Sequence, residues 1–441
     1  MKKRVLITSL IIILIFFNLS NGILSLEQKT IEKKEKVFFS NEYDMIIVTP
    51  KKFSLFLIPL VIHKNKIGVK TKIVTTDQVE KYKEEGKLEN VGRDEAETLK
   101  YFIKYAIEKW NIEYVLLVGN EKYIPVKKII WGSQYITDLY YEDIYDEYGN
   151  YSDWEDLFDF SIEYNKLYFS NESELISHIN NNTIDEIYKF NFFGGYPDVA
   201  VGRIPCIFTK DLINVVRKII LYERGIGQNK CFNRLLLIGG DTFKDSDCYE
   251  GEVLTNEIAK IMDGFEKIKI WASLGNLNNK KMLEEINKGV GLICYAGHGS
   301  PRSLYTYNPD GEDFYYNLDD NRFLFNFRKL PIIFFNACST AKISRSCIAW
   351  DFVNKPYGGA IASIGATNIT HGVSLVYENN TYIYGCDLFG CHFFNSYEEG
   401  ITLGNMYTKA QTNYIDEEGF FNAVLDFILI GDPSLKLGGY R

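Results

Sequence analysis

Apolar runs of strand length alternate with amphipathic stretches along most of this 441-residue chain. Tyr43–Pro50 (YDMIIVTP) is a continuous apolar run, Phe53–Gly68 carries apolar residues at helical spacing and closes on glycine, and Val69–Thr76 is a second strand-like run. Arg93–Asn111 places apolar residues at i, i+3 and i+4, which predicts a helix, and Glu113–Asn120 (EYVLLVGN) is the strand it leads into. This βαβα order predicts an α/β protein with mostly parallel sheets covered by helices on both faces. The order restarts with a strand at Pro197–Pro205, a helix at Lys210–Gly225 and a strand at Asn233–Asp241. A helix at Gly251–Phe265, a strand at Glu266–Ser273, a helix at Asn279–Gly289 and strands at Val290–Gly299, Leu330–Thr340 and Gly358–Asn368 follow. The break GIGQNK between Gly225 and Cys231 predicts two subdomains, 43–228 and 229–441.

The N-terminus changes this picture. Lys2, Lys3 and Arg4 precede the apolar stretch VLITSLIIILIFF, the pattern of a signal peptide or a retained anchor over residues 1–26, with a charged linker at 27–42. The expectation is export, to a secreted or cell-surface location, with membrane association through that segment. A net charge of −9 and a pI near 5.3 argue against nucleic acid as a partner, because no basic excess is present to displace counterions. The stretch Asp138–Asp159 carries nine carboxylates and no Lys or Arg, and reads as a solvated insertion rather than a calcium loop. Eight scattered cysteines without a C-x-x-C pair give neither a disulfide framework nor a zinc site, though Cys386 and Cys391 could bridge locally.

Two strand ends could carry chemistry. His298 follows VGLICYA between Gly297 and Gly299, glycines that permit a sharp turn at the carboxyl end of a parallel sheet, where such sheets place ligands. Cys338 ends the run LPIIFFNACST, the same kind of position, 40 residues downstream (338 − 298). An imidazole beside a thiol raises the thiolate fraction that a nucleophile needs. The N–H groups of Gly299 and Cys338 are candidate oxyanion donors. No G-x-G-x-x-G or Walker sequence follows the first strand, which disfavours a nucleotide-binding protein.

These segments resemble the gingipain-like cysteine peptidases, peptidase family C25 of the caspase-like clan. CYAGHGS and LPIIFFNACST are similar to that family's His and Cys signatures, and YVLLVGNEKYIP, TDLYYED, DVAVGRIPC, GGAIASIGAT and LIGDPSLKL are similar to its other segments in the same order. The resemblance implies a caspase-like α/β/α sandwich, with Cys338 as nucleophile and His298 as general acid/base. It further implies Asp241 as the carboxylate orienting the histidine and Glu252 as a substrate-binding acid for a basic residue before the scissile bond. It requires no cofactor, allows a structural calcium ion, and implies a protein or peptide substrate. Gly365–Ser374 holds no counterpart of the tryptophan that covers the pocket in arginine-specific members, and His371 in that loop reads as a surface residue without a role. A sortase-like transpeptidase of secreted proteins and a noncatalytic envelope module on the same fold are the competing readings.

Overall fold

The computed structural model describes residues 42–131, 133–154, 195–225, 230–244, 248–309, 311–377, 380–418 and 422–440. The N-terminal signal and linker expected at 1–42 lie outside these residues except for residue 42, as does the acidic insertion from 155 to 191.

Ten strands form one sheet. In chain order they are β1 (Met45–Thr49), β2 (Thr71–Thr75), β3 (Tyr114–Val118), β4 (Ala200–Ile204), β5 (Arg234–Gly239), β6 (Glu266–Trp271), β7 (Leu292–Ala296), β8 (Ile332–Asn336), β9 (Ala362–Ala366) and β10 (Phe427–Ile430). Their spatial order is β2-β1-β3-β4-β10-β9-β8-β7-β5-β6. The four strands that precede residue 228 thus lie side by side, and the six that follow it occupy the rest of the sheet. All neighbours are parallel except β9 and β10, which are antiparallel. Since β10 is parallel to β4, the sheet consists of two parallel blocks running in opposite directions. The carboxyl ends of β5 to β9 therefore share one edge, away from those of β1 to β4.

Strands β1, β3, β4, β7, β8 and β9 are buried at every position, as predominantly apolar runs in a sheet covered on both faces should be, with Arg203 of β4 the one charged exception. The longer helices are α1 (Lys51–Lys66), α2 (Thr76–Glu84), α3 (Glu95–Trp110), α4 (Thr209–Gly225), α5 (Glu250–Ile261), α6 (Asn279–Lys288), α7 (Ile348–Asn354), α8 (Cys386–Asn395) and α9 (Leu403–Glu418). Their starts follow local chemistry. The Thr75 and Gln78 side chains close a capping box on α2, and the Asp94 carboxylate accepts from the Glu97 N–H at 2.7 Å on α3.

Two expectations are corrected. The first part of the acidic stretch is not solvated: Asp138, Glu142 and Asp143 are buried. Asp138 accepts two hydrogen bonds from the buried Arg203 guanidinium, at 2.8 and 2.5 Å. Cys386 and Cys391 lie on one helix, α8, as free thiols, so the local bridge is absent.

Glu142 gives the first prediction. It accepts from Gln411 Nε2 at 2.7 Å, and burial pushes its carboxyl from 4.5 up to about 8. The folded state therefore binds a proton that the unfolded chain releases near pH 4.5, and this group's contribution to stability falls as pH rises from there towards 8. The slope for one fully linked group is about 1.4 kcal/mol per pH unit. Glu142→Gln, which copies the protonated acid, should flatten the decline in urea-unfolding free energy across that range. An unchanged slope would show that other groups carry the dependence.

Candidate active site

The strand register brings the two signature residues together. Asn336 at the end of β8 pairs with Ala296 at the end of β7, so Cys338 and His298 each stand two residues beyond a paired position. Between Ala296 and His298 the chain turns at Gly297, whose φ of 153° favours glycine. A β-carbon there would meet the Tyr295 hydroxyl at 2.8 Å and Thr306 Cβ at 3.0 Å. That buried hydroxyl lies 2.9 Å from the His298 carbonyl oxygen and 2.8 Å from that of Tyr305, two acceptors that share its single hydrogen across the turn. At Gly299 the requirement is space: a β-carbon would lie 2.6 Å from the Cys338 carbonyl oxygen and 2.8 Å from Ala337 Cβ. The glycine on each side of the histidine thus has its own reason, one a backbone angle and the other a close approach to the cysteine's main chain.

The His298 ring is held by its surroundings. Its Nε2 lies 2.8 Å from the Thr242 carbonyl oxygen. A carbonyl only accepts, so Nε2 carries the hydrogen, and in the neutral ring Nδ1 is left as the acceptor. Phe243 meets the imidazole edge to face at 5.9 Å, and Tyr305 and Tyr307 each lie at 6.2 Å between ring centres. The loop supplying the Thr242 carbonyl is itself tied down, because the Thr242 N–H donates to Glu250 at 2.8 Å.

Cys338 is half-buried, and its Sγ donates to the Thr370 carbonyl oxygen at 3.3 Å. Burial pushes the thiol above its usual range, and the Asp426 carboxylate acts in the same direction. The resting group is therefore a thiol that needs a base. Ser339, immediately after it, has a φ of 56°, a left-handed conformation uncommon outside glycine, and its N–H donates to the Asn368 carbonyl at 2.7 Å.

One cavity of about 180 Å³ collects these groups. Gly297 and His298 line it after β7, and Asn336, Ala337 and Cys338 line it at β8. Thr242, Phe243, Glu250 and Gly251 contribute from the β5–α5 connection. Thr370, His371, Cys386 and Asp387 close it from the segment around the hairpin strands Gly372–Tyr377 and Asn380–Gly385. Among the described residues the lining includes two carboxylates, Glu250 and Asp387, and neither lysine nor arginine. The buried Asp387 carboxyl is pushed up by desolvation while accepting from Ser374 Oγ at 2.6 Å and Asn336 Nδ2 at 2.5 Å.

Three assignments change. Glu252 is not in the cavity lining; its carboxylate is bound by the Ser273 N–H at 2.8 Å and the Ser273 hydroxyl, and the acid that reaches the cavity is Glu250. The hydrogen-bond partner of His298 Nε2 is the carbonyl of Thr242, one residue beyond the expected Asp241. Asp241 is buried, and its main chain bridges to Tyr307. His371 is exposed, as a surface residue is, yet it also lines the cavity, where partial desolvation lowers its pKa. Asn336 was within reach of sequence reasoning, since residues two apart on a strand share a face. Asp387 and Cys386 had no local signal. Among the described residues no group of three or more His, Cys, Asp or Glu is placed to hold a metal ion.

A cysteine and a histidine at adjacent strand ends of a caspase-like α/β sheet define a class, the cysteine peptidases built on this fold. The chain belongs to peptidase family C25, whose family model matches residues 39–438. Among curated proteins it is 22% identical over 407 residues to gingipain R2 of Porphyromonas gingivalis, covering 89% of this chain and 45% of that protein. It is also 22% identical to a gingipain R1 of Porphyromonas gingivalis, over 89% of this chain and 34% of the other. The chain thus spans less than half the length of these relatives. Among solved structures, that of the Arg-specific cysteine proteinase gingipain R aligns with a TM-score of 0.62 at 21% identity, covering 90% of this chain and 78% of the other. The complex of Porphyromonas gingivalis RgpB pro- and mature domains aligns with the same score over 89% of this chain and 79% of that one.

Proposed function

We propose that this chain is a cysteine endopeptidase that cleaves peptide bonds through a thioester on Cys338. The observation that carries the reading is the register of β7 and β8, which sets His298 and Cys338 at equivalent places past paired strand ends and on one cavity. His298 Nδ1, the acceptor left by the Thr242 bond, takes the thiol proton as Sγ attacks the substrate carbonyl carbon. The oxyanion that forms is received by the N–H groups of Gly299 and Cys338, segments whose main chains pack against each other. The imidazolium returns the proton to the leaving amine, and water, activated by the same nitrogen, hydrolyses the thioester. Asp241, next to the Thr242 carbonyl, acts by holding that loop in position.

The solved relative is Arg specific, and the acidic lining here suits a basic residue before the scissile bond. The substrate-contact role expected of Glu252 falls to Glu250. In a peptide series with Lys or Arg at that position, Glu250→Gln should raise KM by about tenfold, the loss of a charge-assisted contact, while Glu252→Gln leaves KM unchanged. The reverse pattern would return the role to Glu252. Export directed by the Lys2–Arg4 and apolar pattern places the reaction outside the cell. The deciding experiment combines an iodoacetamide-type probe with a mixed peptide library, read by mass spectrometry. Labelling of Cys338 together with peptide cleavage supports the reading, and a protein that neither labels there nor cleaves refutes it.

A further inference from the structure

The outer faces of α1 and α4 carry an unusual combination of side chains. Helix α1 packs inward through Phe53, Leu57 and Leu60, yet leaves Leu55 at 73%, Ile62 at 63%, Ile58 at 44% and Phe56 at 40% exposure. It contains no carboxylate and bears Lys51 and Lys66 at its ends, both exposed. Helix α4 beside it exposes Lys210, Ile213, Arg217 and Arg224. Of its two carboxylates, Asp211 is half-buried, and Glu223 is fully buried and engaged by His63 at 2.9 Å and Lys64 at 2.6 Å. Between the helices runs a groove of about 600 Å³, lined by apolar side chains of both, by Phe327, and by two charged residues, Arg217 and Arg328. The Arg217 guanidinium lies 5.1 Å from the ring centre of Tyr357.

Single exposed apolar residues are ordinary, but a contiguous apolar face whose charges are all of one sign is not. Here the sign is positive in a chain of net charge −9. Acidic proteins are repelled by anionic surfaces unless charge is segregated, and this face is where it is segregated. The chemistry that fits is one with anionic groups at its boundary and hydrocarbon just beneath, within reach of long side chains that extend their charged ends outward. No helix among the described residues is long and apolar enough to cross a membrane.

We propose that the α1–α4 face binds the surface of an anionic lipid bilayer. Leu55, Phe56 and Ile62 enter the acyl region, and Lys51, Arg217 and Arg328 meet headgroup phosphates. The groove shares no lining residue with the catalytic cavity, so the docked protein keeps its active site open. This inference is independent of the peptidase reading, because its readout is binding.

The test is co-sedimentation of the chain freed of residues 1–26, expected as a signal or anchor, with vesicles of phosphatidylcholine alone and of phosphatidylcholine with phosphatidylglycerol, at low and high salt. Wild type should bind the anionic vesicles, and high salt should weaken binding. Two double variants, Leu55→Glu with Phe56→Glu and Arg217→Glu with Arg328→Glu, should each lower the partition coefficient by at least about tenfold, with basic residues near such a surface contributing about 1 kcal/mol apiece. Because all four side chains are exposed, melting temperatures should stay unchanged, and Lys51→Glu with Lys66→Glu provides a second charge test should a variant fold poorly. Equal binding to both vesicle types, binding that survives the variants, or no binding to anionic vesicles would each overturn the proposal. The last would leave an acidic amphipathic protein segment as the better partner.

Discussion

Cys338→Ala should abolish peptide-bond cleavage, by at least about 10³-fold in kcat, with little change in thermal stability. The side chain ends a strand, is half-buried, and gives up a single weak S–H hydrogen bond to Thr370, so the fold loses little when the sulfur goes. The chemistry loses its nucleophile. Cys338→Ser should be nearly as inactive, since a hydroxyl in the same environment is far harder to deprotonate than a thiol. The direction of the thiol's shift adds a kinetic expectation for wild type. With the group pushed up by burial, alkylation by iodoacetamide in the absence of substrate should accelerate at more alkaline pH than for a free cysteine. Cleavage that persists in the alanine variant would remove Cys338 from the mechanism, and fast alkylation at acidic pH would show a preformed thiolate.

Much of the architecture was legible because a doubly covered parallel sheet writes its strands as unbroken apolar runs. Ile332–Asn336 and Leu292–Ala296 fall inside the runs expected for them and pair in parallel. Strand β10 was not legible. Phe427–Ile430 is four residues long and reverses the sheet's direction, a property of tertiary packing that leaves no period in the sequence. The hairpin Gly372–Gly385 was missed for a related reason, as its strands are only partly buried and carry Ser, Thr and Asn among their apolar residues. Within the site, the sequence placed His298 and Cys338 just past the ends of two apolar runs, and the structure sets both two residues beyond paired strand ends on one cavity. The carboxylate of α5 that lines the cavity stands two positions before the expected Glu252. On a helix, residues two apart point about 200° away from each other, so Glu250 and Glu252 cannot share a face, and which of them meets the cavity depends on the rotation of α5 against β5. That rotation is set by Gly239 and Gly251, whose main chains touch closely enough that a β-carbon on Gly239 would lie 2.3 Å from the Gly251 carbonyl oxygen.

His298→Ala should lower kcat by about 10² to 10⁴-fold while changing KM little, because the ring handles protons and the cavity walls that hold substrate remain. The raised resting thiol makes this residue more consequential than it would be beside a preformed thiolate. Without Nδ1, Sγ loses the nitrogen acceptor that the strand register sets beside it at the start of attack, and the leaving amine loses the same group as donor at its end. The Thr242 carbonyl, freed of the ring, cannot substitute, since an amide oxygen is far too weak a base to take a thiol proton. Two controls separate this role from a structural one. Added imidazole should restore part of the lost activity by occupying the space among Phe243, Tyr305 and Tyr307 that the ring vacates. His298→Gln, which can keep a donor towards Thr242 and so preserve the loop, should remain as slow as the alanine variant. If the glutamine variant recovered the rate, the histidine would be a positioning residue, and the base for Cys338 would have to be sought among the other cavity groups, with His371 first in line.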